Sequence, residues 1–233
     1  MKIKPMIRLI DGFAGVGGCS MGYYLAAKEL GVDIEITGVD INPQKNYPFK
    51  FIQADIFEYI SKYGLDEFNL VHFSPPCQPY SVLKALTTKE YPMLIPVVRE
   101  MLINSGKDYV IENVYGALDH MINPIMLCGT QFNLKVFRHR LFETNFPITE
   151  PEHKSHKELG DYTLCKQGRM PNEGDYMTLT GNFAGIKYAR RAMGVEYNYD
   201  GSLWKLGTHE VSQMIPPDYT KYIMKEYIKW LGN

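Results

Sequence analysis

The apolar run Met6-Ile-Arg-Leu-Ile10 breaks at once into Asp11-Gly12-Phe13-Ala14-Gly15-Val16-Gly17-Gly18. A helical pattern then follows at Met21, Tyr24, Leu25, Lys28 and Leu30, which Gly31 ends. A strand, a glycine-rich turn and a helix in that order leave few folds open, because a strand feeding a helix returns as a parallel neighbour in the same sheet. The alternation continues along the chain. Ile34 to Val39 reads as a second strand that stops at Asp40. Phe51-Ile52 before Asp55 suggests a third, with Phe57, Ile60 and Tyr63 marking a short helix that Gly64 terminates. Asn69 to Phe73 is a fourth, broken by Ser74-Pro75-Pro76-Cys77-Gln78-Pro79, since three prolines in five positions cannot continue a ladder. Pro96 to Ile103 reads as a helix and Tyr109-Val-Ile111 as a fifth strand ending at Glu112-Asn113. Leu134-Lys-Val136 and Leu141-Phe142 read as later strands around Arg138-His139-Arg140. The expected fold is α/β, a Rossmann-like, doubly wound, mostly parallel sheet, in which ligands sit outside the carboxyl ends of the strands. Every polar cluster named here falls at such an end.

With 233 residues, 45% of them hydrophobic, the chain buries a real core without disulfides or metal, as one large domain or one domain with a small appendage. No apolar run approaches the roughly 20 residues of a membrane helix, and the start lacks the long apolar stretch of a signal peptide, so a cytoplasmic protein is expected. The net charge of −1 means that any nucleic-acid partner is held by a local basic patch. Cys19, Cys77, Cys128 and Cys165 lie dozens of residues apart, and no Cys/His cluster has zinc-ligand spacing. Free thiols and no structural metal are expected. From Thr149 to about Thr180 the apolar periodicity gives way to a loop-rich stretch, in which the His153-x-x-His156 pair reads as loop and not as a metal site. The chain closes with Ile215-Pro216-Pro217-Asp218. Tyr219, Ile223, Tyr227, Trp230 and Leu231 then stand at helical spacing opposite Lys221, Lys225 and Lys229, as in an amphipathic helix.

The glycine turn lets the backbone approach a ligand closely and frees amides at a helix start, though a tight connection alone accounts for it equally well. Asp40, about 22 residues beyond Gly18, and Asp55 at the next strand end shift the balance toward a nucleotide, one acid for a ribose diol and the other for an adenine amine. No Gly-Lys-Ser/Thr is present to grip a triphosphate, which leaves adenosine. Cys77, held between prolines at a strand end, suits a nucleophile aimed into the crevice; a buried thiol in a proline turn is the alternative. Glu112, Arg138 and Arg140 can converge on the same crevice or form an ion pair on the sheet.

Phe13-Ala-Gly-Val-Gly-Gly18, Pro76-Cys77-Gln78, Glu112-Asn113-Val114 and Arg138-His139-Arg140 stand in the order and near the spacing of the DNA (cytosine-5)-methyltransferase family, which the chain resembles. Tyr188 to Gly194 and Glu210 to Thr220 resemble its last two motifs, in the form seen in small phage-type members. The resemblance implies that Phe13, Gly15, Val16, Gly17 and Gly18 line S-adenosylmethionine. Asp40 would hold its ribose and Asp55 its adenine amine, with Ile41, Ile56, Pro76 and Leu94 packing nearby. It further implies that Cys77, followed by Gln78, adds to C6 of a cytosine flipped out of DNA, that Glu112 engages N3 and the exocyclic amine, that Arg140 binds O2, and that Arg138 supports Glu112 or the site. Residues 1–146 and 186–233 would form the catalytic domain and 147–185 a reduced target-recognition segment, with Lys154, Lys157, Lys166 and Arg169 as phosphate contacts or simply solvated loop. A monomer is expected. The alternatives are the same chemistry on a free cytosine nucleotide or RNA, a catalytically silent DNA-binding scaffold and, more remotely, a nucleotide fold with another reaction such as hydride transfer.

Overall fold

The computed structural model describes residues 6–81, 91–159, 164–165, 169–179, 183–196 and 198–232. Its sheet is built from β1 (Ile7–Gly12), β2 (Ile34–Asp40), β3 (Lys50–Gln53), β4 (Leu70–Phe73), β5 (Asp108–Val114), β6 (Ile125–Leu127) and β7 (Arg140–Thr144), in the order β3-β2-β1-β4-β5-β7-β6. The first five strands are parallel, while β7 runs antiparallel to both β5 and β6. The doubly wound, mostly parallel α/β sheet expected from the sequence is therefore the one observed.

Both faces of the sheet are covered, which is why its central strands are continuous apolar runs. On one face α1 (Gly18–Leu30) and α6 (Pro217–Leu231) bury Tyr23, Ala26, Ala27, Tyr219, Ile223 and Tyr227 against Leu9, Leu70 and Val110. On the other, α2 (Ile56–Tyr63) and α3 (Ile95–Ser105) bury Ile56, Tyr59, Val98 and Leu102 against Ile10, Val71 and Ile111. Helices α1 and α6 meet closely because Gly22 carries no side chain: a Cβ there would stand 2.0 Å from the Pro217 carbonyl oxygen. Thr220 Oγ1 donates to the Cys19 carbonyl at 2.7 Å, and Glu29 receives both Lys221 and Lys225. Leu231, expected on the apolar face of α6, is exposed in its last turn.

A third cluster, of Val16, Met21, Val136, Met177, Leu179, Ala189, Met193, Trp204, Leu206 and Val211, joins the start of α1 to the short helices α4 (Ile186–Ala192) and α5 (Thr208–Gln213). Here the expectation of a strand at Leu134 to Val136 fails. Asn133 is in the left-handed region (φ 59°), which turns the chain, and Val136 makes only an isolated bridge to Met177. Among the described residues no helix is long and apolar enough to cross a membrane.

Candidate active site

The strand order reverses between β1 and β4, so the crevice of a doubly wound sheet opens where those two strands end. The glycine turn leaves β1 at this point, and the Ser74–Pro79 segment leaves β4 beside it. Cys77 opens a single 3-10 turn over Gln78–Tyr80, in which Tyr80 N donates to the Cys77 carbonyl at 3.0 Å. Three neighbours clamp this segment. Ser74 N donates to the Gly12 carbonyl at 3.2 Å, Asn113 Nδ2 donates to the Pro75 carbonyl at 2.9 Å, and Ile95 N at the start of α3 donates to Tyr80 Oη at 3.1 Å. Gly116 allows the close approach on the β5 side, since a Cβ there would lie 2.2 Å from the Tyr80 carbonyl oxygen. Cys77 itself is half-buried and Gln78 exposed.

Register places Glu112 and Arg140 on neighbouring strands, with Glu112 opposite Phe142 and Val114 opposite Arg140. Arg140 Nε meets Glu112 Oε1 at 3.1 Å with both side chains largely buried, and Arg140 Nη1 donates to its neighbouring His139 carbonyl at 2.8 Å. Burial pushes the Glu112 carboxyl above its ordinary value, against Arg140, Ser74 and Arg138, which pull it down. Burial and the charge of Glu112 push the Cys77 thiol up, while Arg140 and Arg138 act in the opposite sense. The resting group is therefore a thiol. Arg138 acts on the crevice by its charge, not by contact with Glu112: its Nη1 and Nη2 donate to the carbonyls of Leu179 (2.8 Å) and Ser212 (2.9 Å), and burial, with Arg140 beside it, lowers its pKa to about 9. It fastens the closing segment to the site.

On the β1 side the residues expected at a cofactor divide into two groups. Gly15, at φ +51°, faces open space, with nothing within 4 Å of where a Cβ would be. Phe13 is partly exposed and packs edge-on against Phe57 and Phe73, and Ile41 is 62% exposed at the end of β2. Pro76 and Leu94 are partly buried nearby in the chain segments that enclose Cys77 and begin α3. By contrast Val16 is buried in the third cluster, and a Cβ on Gly17 or Gly18 would strike Pro48 at 2.8 Å or the Ile215 carbonyl at 2.3 Å. Ile56 is buried beneath Gly12. These four shape the turn from behind. Asp40 accepts from Gly15 N (2.9 Å) and Asn42 N (2.8 Å), one bond to each oxygen, so it braces the glycine turn. Asp55 caps α2 through Oδ1, accepting from Phe57 N and Glu58 N.

Asp11 went unsingled in the sequence, although an acid closing an otherwise apolar strand was its available signal. It is 1% exposed and accepts from Ser20 Oγ at 2.6 Å. Burial raises its pKa, the Ser20 bonds lower it, and Asp40 and Glu112 raise it again, to about 8. His72 is likewise buried, between Tyr23 Oη (2.8 Å to Nδ1) and Ser74 Oγ (3.0 Å to Nε2), and burial lowers its pKa to about 3, so it is neutral. Of the basic loop residues, Lys154, Lys157 and Arg169 are exposed, and Lys166 lies outside the described residues. His153 and His156 turn inward toward Cys128 and His139 instead of standing in open loop.

Residues 7–127 match the family model for the C-5 cytosine-specific DNA methylase, just over half of the chain. That span carries the glycine turn, Cys77 and Glu112, and stops short of Arg138 and Arg140. Among curated proteins, the chain is similar to the Type II methyltransferase M.HgiCI of Herpetosiphon aurantiacus, 30% identical over 124 residues, which is 49% of this chain and 29% of the relative. It is similar also to the Type II methyltransferase M.BanI of Aneurinibacillus aneurinilyticus, 30% identical over 129 residues, which is 52% of this chain and 28% of the relative. The matches thus span less than a third of either relative's length.

Proposed function

The chain belongs to the C-5 cytosine-specific DNA methylase family, and on that premise we propose that it methylates C5 of cytosine in DNA through a covalent bond between Cys77 Sγ and C6. One observation carries the reading: a half-buried thiol shares the switch-point crevice with a buried carboxyl that is itself held by a guanidinium at 3.1 Å. A scaffold has no use for all three.

An unactivated C5 is a poor nucleophile until sulfur adds at C6. Glu112, biased by burial toward its protonated form, passes that proton to N3 and makes C6 electrophilic, while Cys77 Sγ bonds to C6 as the thiol proton passes to solvent. Arg140 spends Nε on Glu112 and Nη1 on the His139 carbonyl, which leaves Nη2 for the cytosine O2. S-adenosylmethionine supplies the methyl group that C5 then takes. Loss of the C5 proton to solvent, return of the N3 proton to Glu112 and departure of Cys77 restore the ring. The residues fit that cofactor on this structure's own terms: the space beside Gly15 and the exposed face of Ile41 admit an adenosyl group. Phe13 lies in the same turn as Gly15, Pro76 and Leu94 are proposed to pack beside the adenosyl group, and Asp40 and Asp55 keep lone pairs for its ribose and amine beyond the bonds they already accept. Val16, Gly17, Gly18 and Ile56 serve by fixing the turn.

In duplex DNA the target atoms lie inside the stack, and turning the base out costs a few kcal/mol. Residues 147–185 are the short segment proposed to meet the DNA around it, with exposed Lys154, Lys157 and Arg169 as its phosphate contacts. That shortness keeps open the same chemistry on RNA or a free cytosine nucleotide. Tritiated methyl transfer to duplex DNA, single strands, RNA and dCMP side by side decides the substrate, and success on dCMP with failure on DNA overturns the DNA reading. DNA carrying 5-fluorocytosine is expected to trap a covalent adduct with the native chain and none with Cys77→Ala.

A further inference from the structure

Away from the crevice, a thiol and three imidazoles converge from segments that are far apart in the chain. Cys128 follows β6, His139 stands between Arg138 and Arg140 at the entry to β7, and His153 and His156 come from the loop that leaves β7. One ligand-capable atom from each, the Cys128 Sγ and three ring nitrogens, lie within 4.8 Å of one another. Cys128 Sγ and His156 Nε2 are 3.4 Å apart. A tetrahedral zinc ion, with bonds of about 2.3 Å to sulfur and about 2.0–2.1 Å to nitrogen, holds its ligand atoms roughly 3.3–3.7 Å from one another. The Cys128–His156 pair already has that separation, and the widest pair has about 1 Å to close. We infer that Cys128, His139, His153 and His156 form a closed, structural zinc site.

Three further observations support it. His153 Nε2 is buried and makes no hydrogen bond among the described residues, so hydrogen bonding alone does not explain why these rings gather. The surroundings hold the ligands in place as an outer shell does. Thr130 Oγ1 donates to Cys128 Sγ at 3.4 Å, and Phe137 stacks on the His156 ring with centroids 3.9 Å apart and planes 12° from parallel. The rings of His139 and His156 are parallel within 8°, and His153 stands at 78° and 72° to them, so its nitrogen approaches from a different direction. One thiolate and three imidazoles are the donor set that favours zinc over calcium or magnesium, and four protein ligands leave no position for a reacting water.

The site would tie the end of β6, the entry of β7 and the start of the 147–185 segment into one node. His139 is adjacent in sequence to both Arg138 and Arg140, so the ion would also set the strand from which Arg140 reaches Glu112. The inference goes beyond the proposed reaction, and its test reads metal and not methyl transfer. The full-length chain purified without chelator is expected to carry one zinc by elemental analysis. After removal of zinc, cobalt(II) should restore a thiolate charge-transfer band together with the strong visible absorption of tetrahedral cobalt. His153→Ala and His156→Ala, both on the loop and outside the core, should lower bound zinc from one per chain toward none. Cys128→Ser should abolish the charge-transfer band, while Cys77→Ala and Cys165→Ala should keep both metal and band. A native chain that holds no zinc and takes none up when one equivalent is offered overturns the site, as do loop variants that retain the full complement.

Discussion

Asp11 offers a quantitative test of how the crevice is built. Its carboxyl is buried at the end of β1, and its folded pKa stands near 8 against an ordinary value of 3.8. A carboxyl raised on folding contributes stability that is fully present below pH 3.8 and is lost as the pH climbs through 8, because the folded state binds the proton that the unfolded state has released. Inside that window the loss is about 1.4 kcal/mol per pH unit. Between pH 6 and pH 8 it amounts to about 2 kcal/mol, since the group is half titrated at the upper end. Asp11→Asn keeps the shape and removes the titration. Urea unfolding of both proteins at pH 6, 7 and 8 therefore yields a stability difference, native minus variant, that falls by about 2 kcal/mol across the series. The subtraction cancels groups common to both, including His72, whose pKa near 3 adds stability that is lost as pH falls below 6.5. If the two proteins lose stability in parallel, Asp11 is already ionised at pH 6, and burial does not govern the charge state of this crevice.

Glu112→Gln keeps the volume and an acceptor for Arg140 but cannot pass a proton to N3, so methyl transfer should drop by about 10²–10⁴-fold with the melting temperature nearly unchanged; transfer at the native rate excludes Glu112 as the acid. Asn113→Ala strands the Pro75 carbonyl in a buried place, at about 1–3 kcal/mol, and frees the turn that carries Cys77. Adduct formation on 5-fluorocytosine DNA should slow together with the loss of stability, and an unslowed adduct would show that the turn holds its position without this bond.

The elements legible in the sequence are those whose signal is local. The β1 turn, Gly31 and Gly64 as helix ends and the prolines opening α6 all stand where their chemistry places them, whereas Asp55, read as a strand end, also caps α2. The strand β6 has three residues, and α4 and α5 have seven and six, too short for periodicity to develop. Leu134 to Val136 carries the alternation of a strand yet pairs at one residue only, because its neighbours come from residues forty positions later. The glycine motif stands beside the switch point of the sheet, but sequence assigns every residue of a motif the same duty. Burial separates Gly15, facing space, from Gly17 and Gly18, which admit neighbouring chain. The Cys128, His139, His153 and His156 cluster escaped because spacing rules detect ligands on one hairpin or helix, and these come from three segments joined only by the packing of β6 on β7.

The crevice gathers Asp11, Asp40 and Glu112 against Arg138 and Arg140, and the distribution of protons decides what Cys77 experiences. Arg138 spends Nη1 and Nη2 on two carbonyls and Arg140 holds Glu112 through Nε, so both act on the resting thiol through their charge. An ionised Asp11 would add a buried negative charge beside Glu112 and Asp40, and its retained proton removes that repulsion. Burial is the leading influence on Cys77, Glu112 and Asp11 alike, and in all three it favours the neutral form. The resting thiol is accordingly sluggish toward adventitious electrophiles. On the proposed mechanism it would become a nucleophile only when a ring arrives that takes a proton at N3 as sulfur bonds at C6, so the burial that holds the site together would also make attack conditional on the right base.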